Sequence, residues 1–216
     1  MKRVLFILFL LPAILMAQGE YRPGDHELLV SPTAFTMPKG NSYVADYQLF
    51  FLNYTYAITS RTHIGAFILF PIAKGFEKFF SLGIKQNYLQ TPLISGAVWY
   101  SHNFESKFGA LGNAITLGNY QTNLTINIGA ITDYNDYEIL FSVGGVVGLS
   151  KHVKILAEYM NTKSLLEESD FSGLIGFGFR FQGSRISFDI AGARPFQEDF
   201  GDLIAIPYLK AIYLFK

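Results

Sequence analysis

Beyond residue 17 the chain is written in short segments whose side chains alternate between an apolar face and a small or polar one. Strand side chains point alternately to opposite faces, whereas a helix repeats every 3.6 residues, so this period demands β-structure. In 185–191, Ile186, Phe188 and Ile190 share one face and Arg185, Ser187 and Asp189 the other. In 171–181, Phe171, Ile175, Phe177, Phe179 and Phe181 oppose Ser172, Gly176, Gly178 and Arg180. The same reading holds for 122–131, 137–149 and 80–87. Two stretches, 43–57 and 93–102, are apolar on both faces, and their inward and outward sides stay open.

Composition says where the apolar faces belong. Half of the residues are hydrophobic, with 21 Phe and 13 Tyr, and only 16% are charged. A soluble domain carries about 25% charge. Yet no apolar run after residue 17 is long enough for a membrane-spanning helix, which needs about 18 residues. The surplus must lie on strands. Residues 1–17 have Lys2 and Arg3, then an apolar run from Val4 to Met16, then Ala17. That is the form of a cleaved secretory signal peptide, which leaves 18–216 as one domain. Together these features predict an all-β fold: a transmembrane antiparallel β-barrel of about twelve strands, ten being the alternative, exported to the outer membrane of a two-membrane cell. The absence of Cys excludes disulfides, thiol catalysis, thiolate metal sites and a lipoprotein anchor. No basic run points to nucleic acid.

The strands are expected at 28–37, 43–57, 62–71, 78–88, 93–103, 109–119, 121–131, 137–149, 152–161, 171–182, 185–193 and 204–216. The first is interrupted by Pro32 and Pro38. Tight links around 59–61, 90–92, 120, 150–151 and 183–184 alternate with longer ones at 73–77, 104–107, 132–136, 162–170 and 194–203. Pro38–Asn41 falls in the second series. Membrane barrels have short periplasmic turns and longer external loops, so both termini are expected in the periplasm. The longer links hold acidic residues such as Glu105, Asp133, Asp136, Glu167, Glu168, Glu198 and Asp199, read as solvated loops. Tyr54, Tyr56, Trp99, Tyr100, Tyr134, Tyr137, Tyr159, Tyr208 and Tyr213 are expected as interfacial girdles. The last strand, with Leu209, Ala211, Tyr213 and Phe215 on one face, resembles the signal read by the barrel-assembly machinery, although Lys216 follows the aromatic.

Ser31-Pro32-Thr33-Ala34, Pro38-Lys39-Gly40, Asn53-Tyr54-Thr55-Tyr56-Ala57-Ile58-Thr59 and Ile64-Gly65-Ala66 resemble a pattern in small outer-membrane barrels of the Bacteroidetes group. Ala57 stands where that pattern has Gly. The resemblance covers about the first third of the exported chain. It implies a porin-like outer-membrane fold and brings no catalytic residue.

The charged set expected to line the lumen is Lys85, Lys154, Glu158, Arg180, Arg185 and Asp189. Inward charges of both signs pair and fill a small barrel, or else line a selective constriction. Hydrolytic chemistry would draw on His63, His102 and His152 with Ser101, Ser150, Glu158 and Asp46. Ser101 and His102 are strand neighbours on opposite faces, Ser150 and His152 straddle a turn, and no nucleophile-elbow or zinc-protease motif occurs. No enzyme, cofactor or metal is expected. The acidic clusters 167–170 and 198–202 lack EF-hand spacing. The leading expectation is a small passive channel with a charged lumen. A non-conducting structural or partner subunit of an envelope complex is the rival, docking through 43–57 and 93–103. A lipid-modifying barrel enzyme and a soluble exported barrel binding an apolar ligand remain open. Expected partners are outer-membrane lipid, the barrel-assembly machinery through the last strand, and an envelope protein.

Overall fold

The computed structural model describes residues 19–69, 80–133, 135–161, 173–195 and 205–216. The proposed signal peptide, most of three longer links, Tyr134 and the two acidic clusters lie outside them. The strands are β1 (Ser42–Tyr47), β2 (Phe51–Ala57), β3 (Thr62–Leu69), β4 (Ser81–Gln90), β5 (Ile94–Asn103) and β6 (Phe108–Gly118). They continue as β7 (Thr122–Thr132), β8 (Tyr137–Gly148), β9 (Val153–Met160), β10 (Leu174–Gln182), β11 (Ile186–Pro195) and β12 (Ile206–Phe215). Each pairs antiparallel with its sequence neighbours, and β12 returns to β1 through Tyr43↔Leu214 and Tyr47↔Lys210. The sheet is a closed twelve-stranded barrel with no free edge.

The two faces have opposite chemistry. Outward positions such as Ile84, Leu111, Ile128, Phe177, Phe188 and Ile190 are exposed. Inward positions such as Thr116, Thr125, Asn127, Ser142, Arg180 and Asp189 are buried. A soluble barrel has the reverse order. A continuous apolar outer belt over a polar lumen is stable only with lipid outside. The tight links and the C-terminus fall at one end of the barrel, and the described link 104–107 at the other.

Twelve strands occur, but not the twelve expected. Residues 28–37 are not in the wall, and 43–57 is two strands joined at Gln48–Leu49–Phe50. Gln48 (φ 58°) and Leu49 (φ 65°) are both left-handed, and Phe50 N–H donates to the Tyr47 carbonyl at 3.2 Å, as in the tight hairpin turns that match strand twist. Those turns normally carry Asn-Gly or Asp-Gly, which is why no break is visible in the sequence. The Gln48 side chain extends the β12 ladder beyond the short hairpin: Nε2 donates to the Pro207 carbonyl (2.8 Å), and Oε1 accepts from Leu209 N–H (2.9 Å). The first link of the longer series is therefore 48–50, and Pro38–Asn41 lies at the tight-turn end, where Gly40 N–H meets the Ala57 carbonyl (2.9 Å).

Candidate functional site: a lumen filled by the N-terminal segment

Register sets inward side chains in rows. Lys154, Arg180, Asp189, Lys210 and Tyr47 are successive cross-strand partners from β9 to β1. His63, Lys85, Trp99 and Gly112 form a second row from β3 to β6. Directly opposed side chains stand about 5 Å apart, so each row acts as a unit.

Residues 19–41 run up inside the barrel and back as a narrow hairpin. Leu28 N–H donates to the Ser31 carbonyl (2.8 Å) and Thr33 N–H to the His26 carbonyl (3.0 Å), which puts the tip at 28–31. Both limbs leave at the tight-turn end. Arg22 Nη1 donates to the Lys151 carbonyl (2.6 Å), and Thr36 Oγ1 to the Ser60 carbonyl (2.7 Å). Such a hairpin has few main-chain bonds of its own, and buried N–H and C=O groups must find partners. The wall supplies them. Arg180 donates to the carbonyls of Gly24, Glu27 (3.0 Å) and Leu28 (2.8 Å). Lys210 Nζ donates to those of Leu28 (2.7 Å) and Leu29 (2.9 Å). Glu158 accepts from Val30 and Ser31 N–H, both at 2.9 Å. Asn87 Nδ2 donates to the Ala34 carbonyl and Thr116 Oγ1 accepts its N–H, both at 2.8 Å. His63 Nε2 accepts from Met37 N–H (2.7 Å). Leu28, Leu29, Ala34 and Met37, which give 28–37 its strand-like look, are fully buried here.

Three lumenal cations are paired with carboxylates. Lys154 Nζ meets Asp25 at 2.6 Å, Arg180 Nε meets Asp189 at 2.7 Å, and Lys210 lies 3.1 Å from Asp189 and 3.2 Å from Glu27. Of the six residues expected here, Lys85, Lys154, Glu158, Arg180 and Asp189 face the lumen. Arg185 does not. It sits exposed in the turn before β11, where its carbonyl takes Leu214 N–H (2.7 Å). Parity was carried one residue past the strand end. Lys210 and Gln182 belong to the site and were missed, although both alternate inward beside named apolar residues. Asp25 and Glu27 were missed because nothing marks them as lumenal until the hairpin is known. His152 binds the Gln182 carbonyl (2.9 Å) at the tight-turn end. Trp99 and Tyr208, expected in the girdle, point inward instead; Tyr54, Tyr56, Tyr100, Tyr137 and Tyr213 are exposed on the outside.

The hairpin does not fill everything. A cavity of about 590 Å³ remains between it and the inner faces of β1–β5. Its aromatic lining is Tyr43, Tyr47, Phe51, Phe67, Trp99 and Tyr208. Across from these, Gly65, Gly83, Ser81 and Ser101 leave nearly bare wall. Gln48, Phe51, Phe67 and Ser81 place it toward the longer links; His26, Glu27 and Lys85 lie deeper. This explains the two stretches that are apolar on both faces. Their outer residues join the belt, and their inner aromatics line the cavity.

The wall and lumen together define a membrane β-barrel of the outer-membrane type, occupied by its own N-terminal segment. No family model and no curated protein matches the chain, so the likeness of residues 31–66 to Bacteroidetes barrels gains no support. Among solved structures, the chain is similar to the outer membrane protein Omp33 of Acinetobacter baumannii, at 10% identity and a TM-score of 0.45. The match covers 81% of this chain and 96% of that one. So slight a likeness carries no argument; the class rests on the closed ladder and the apolar belt.

Proposed function

We propose that the protein is a porin-like channel of the outer membrane, held shut at rest by residues 19–41. The observation that supports this is the hairpin's path. Both limbs enter by the tight-turn mouth, so it can be withdrawn whole, without threading a chain end through the barrel. The ladder that closes the wall runs strand to strand and does not pass through the hairpin. The tight-turn mouth would then face the periplasm, next to the site of signal cleavage.

Currents across planar bilayers test this. The whole protein should give small or rare steps. A variant lacking 19–37, checked for heat-modifiable migration on gels, should give steady open steps. A folded barrel without the hairpin that passes no current would overturn the channel reading and favour a non-conducting subunit. That rival is supported by the number of hydrogen bonds holding the hairpin.

A further inference from the structure

The cavity beside the hairpin has two features that filling a lumen does not explain. The first is its apolar wall. Inward positions on β7–β12 are mostly small, polar or charged, yet β1, β2, β3 and β5 set Tyr43, Tyr47, Phe51, Phe67 and Trp99 along the cavity. Aromatic surface facing a void costs free energy that an apolar occupant would recover. The void also falls within the roughly 300–1,000 Å³ range of small-molecule sites. Glycine keeps it open: Gly112, across from Trp99, leaves the indole room to lie flat against the wall, where a Cβ would collide with it.

The second feature is Lys85. Lys154, Arg180 and Lys210 each touch a carboxylate. Among the described residues the Lys85 ammonium instead donates to two carbonyls, those of His26 (3.1 Å) and Thr33 (3.3 Å). An ammonium has three N–H donors, so one is left for a further acceptor. Trp99, its direct partner across β4 and β5, also lines the cavity; its indole lies over Gly112 on the β6 side, and its N–H has no acceptor among the described residues. The other charge at the cavity, Glu27, is already engaged: Tyr47 O–H donates to it at 2.8 Å and Lys210 lies 3.2 Å away. A spare ammonium donor beside an aromatic wall suits one kind of molecule.

We propose that this cavity binds an amphiphilic monocarboxylate, its apolar body among Tyr43, Tyr47, Phe51 and Phe67 and its carboxylate on Lys85. This goes beyond the shut channel, since the site can fill whether or not the hairpin ever moves. The chain has a single Trp, so Trp99 fluorescence reports occupancy directly. Purified whole protein in non-ionic detergent would be titrated with octanoate, 3-phenylpropionate and the matching alcohols, octanol and 3-phenylpropanol. At least one acid should produce a saturable change, with its alcohol at least tenfold weaker. Octanoate alone would indicate a lipid-derived acid, and 3-phenylpropionate alone a free aromatic acid. Lys85→Met should weaken the acid at least tenfold while leaving the alcohol unchanged, and Ser101→Phe should abolish the signal by filling the space. No saturable change with either acid, or equal binding of acid and alcohol to the unaltered protein, would overturn the proposal. Neither result bears on conductance, so this site and the channel fail separately.

Discussion

The two halves of the lumen solve different problems. Against β7–β12 the hairpin tip meets Asn127, Glu158, Arg180 and Lys210, and nearly every contact is to main chain. Against β1–β5, His63, Lys85 and Asn87 still hold the limbs, but toward the longer links the wall backs away, aromatic on one side and almost bare on the other. One half grips a peptide through groups common to all peptides; the other leaves a shaped apolar space. Occlusion rests mainly on β9–β12 and recognition on the aromatic side of β1–β5, so the two can be altered separately except at Lys85, which touches both.

The sharpest way to break this contrast is at Arg180, on the gripping side. Arg180→Ala leaves Asp189 with Lys210 as its one remaining cation and removes three hairpin contacts. Losing one partner of a buried pair costs about 3–5 kcal/mol. We expect steady channel openings from a barrel that still migrates as folded. Arg185→Ala, on the exposed turn, should change neither current nor stability. If both variants behave alike, the grip is not what shuts the lumen.

A second comparison adds bulk on each side. Ser142→Leu, at a position 1% exposed on the filled side, overpacks the lumen at a cost of about 1–3 kcal/mol. Ser101→Leu, in the open half, should leave the urea midpoint close to that of the unaltered barrel. Equal losses would mean that the cavity is not open.

Acid should loosen the grip. His26 lies in the hairpin, outside the spanning strands. Burial first, and then the positive fields of Lys85, His63, Lys210 and Arg180, hold its imidazole well below the ordinary value. Released into water it would titrate near about 6.5. Below that pH the free hairpin takes up a proton that the docked one refuses. Docking therefore weakens as pH falls, by up to about tenfold per unit, or about 1.4 kcal/mol. Open probability should rise between pH 7.5 and 5.5, and His26→Gln should flatten the rise.

The smallest effect concerns the hairpin that shortens the open side. Leu49 is exposed and left-handed at φ 65°, a conformation costing a non-glycine residue about 1 kcal/mol or more. Leu49→Gly should raise the unfolding free energy by up to about 1 kcal/mol, read as a higher urea midpoint at unchanged slope; no gain would mean the turn carries no strain.

Side-chain parity made the wall legible. Phe177, Phe179 and Phe181 against Gly176, Gly178 and Arg180 need no structure to sort, and the same alternation reaches Lys85, Lys154, Glu158 and Asp189. It stops where strands stop, which is why Arg185 was misplaced. The hairpin was illegible for a different reason. Inside a plugged lumen Leu28, Leu29, Phe35 and Met37 are buried on every side, so their pattern mimics a strand, and only Pro32 and Pro38 object. The β1–β2 turn left no trace because Gln48 and Leu49 lack the residues such turns prefer. Trp99 and Tyr208 were misread because an aromatic looks the same facing lipid or a cavity.

The central claim is that residues 19–41 occupy the lumen, and the cysteine-free chain allows a direct test. Ala34, fully buried beside Thr116, would be changed to Cys and exposed to a water-soluble maleimide, with Lys39→Cys at the open mouth as reference. The account predicts rapid labelling at 39 and at least hundredfold slower labelling at 34, relieved by Arg180→Ala. Equal labelling rates at the two positions in the folded barrel would contradict it.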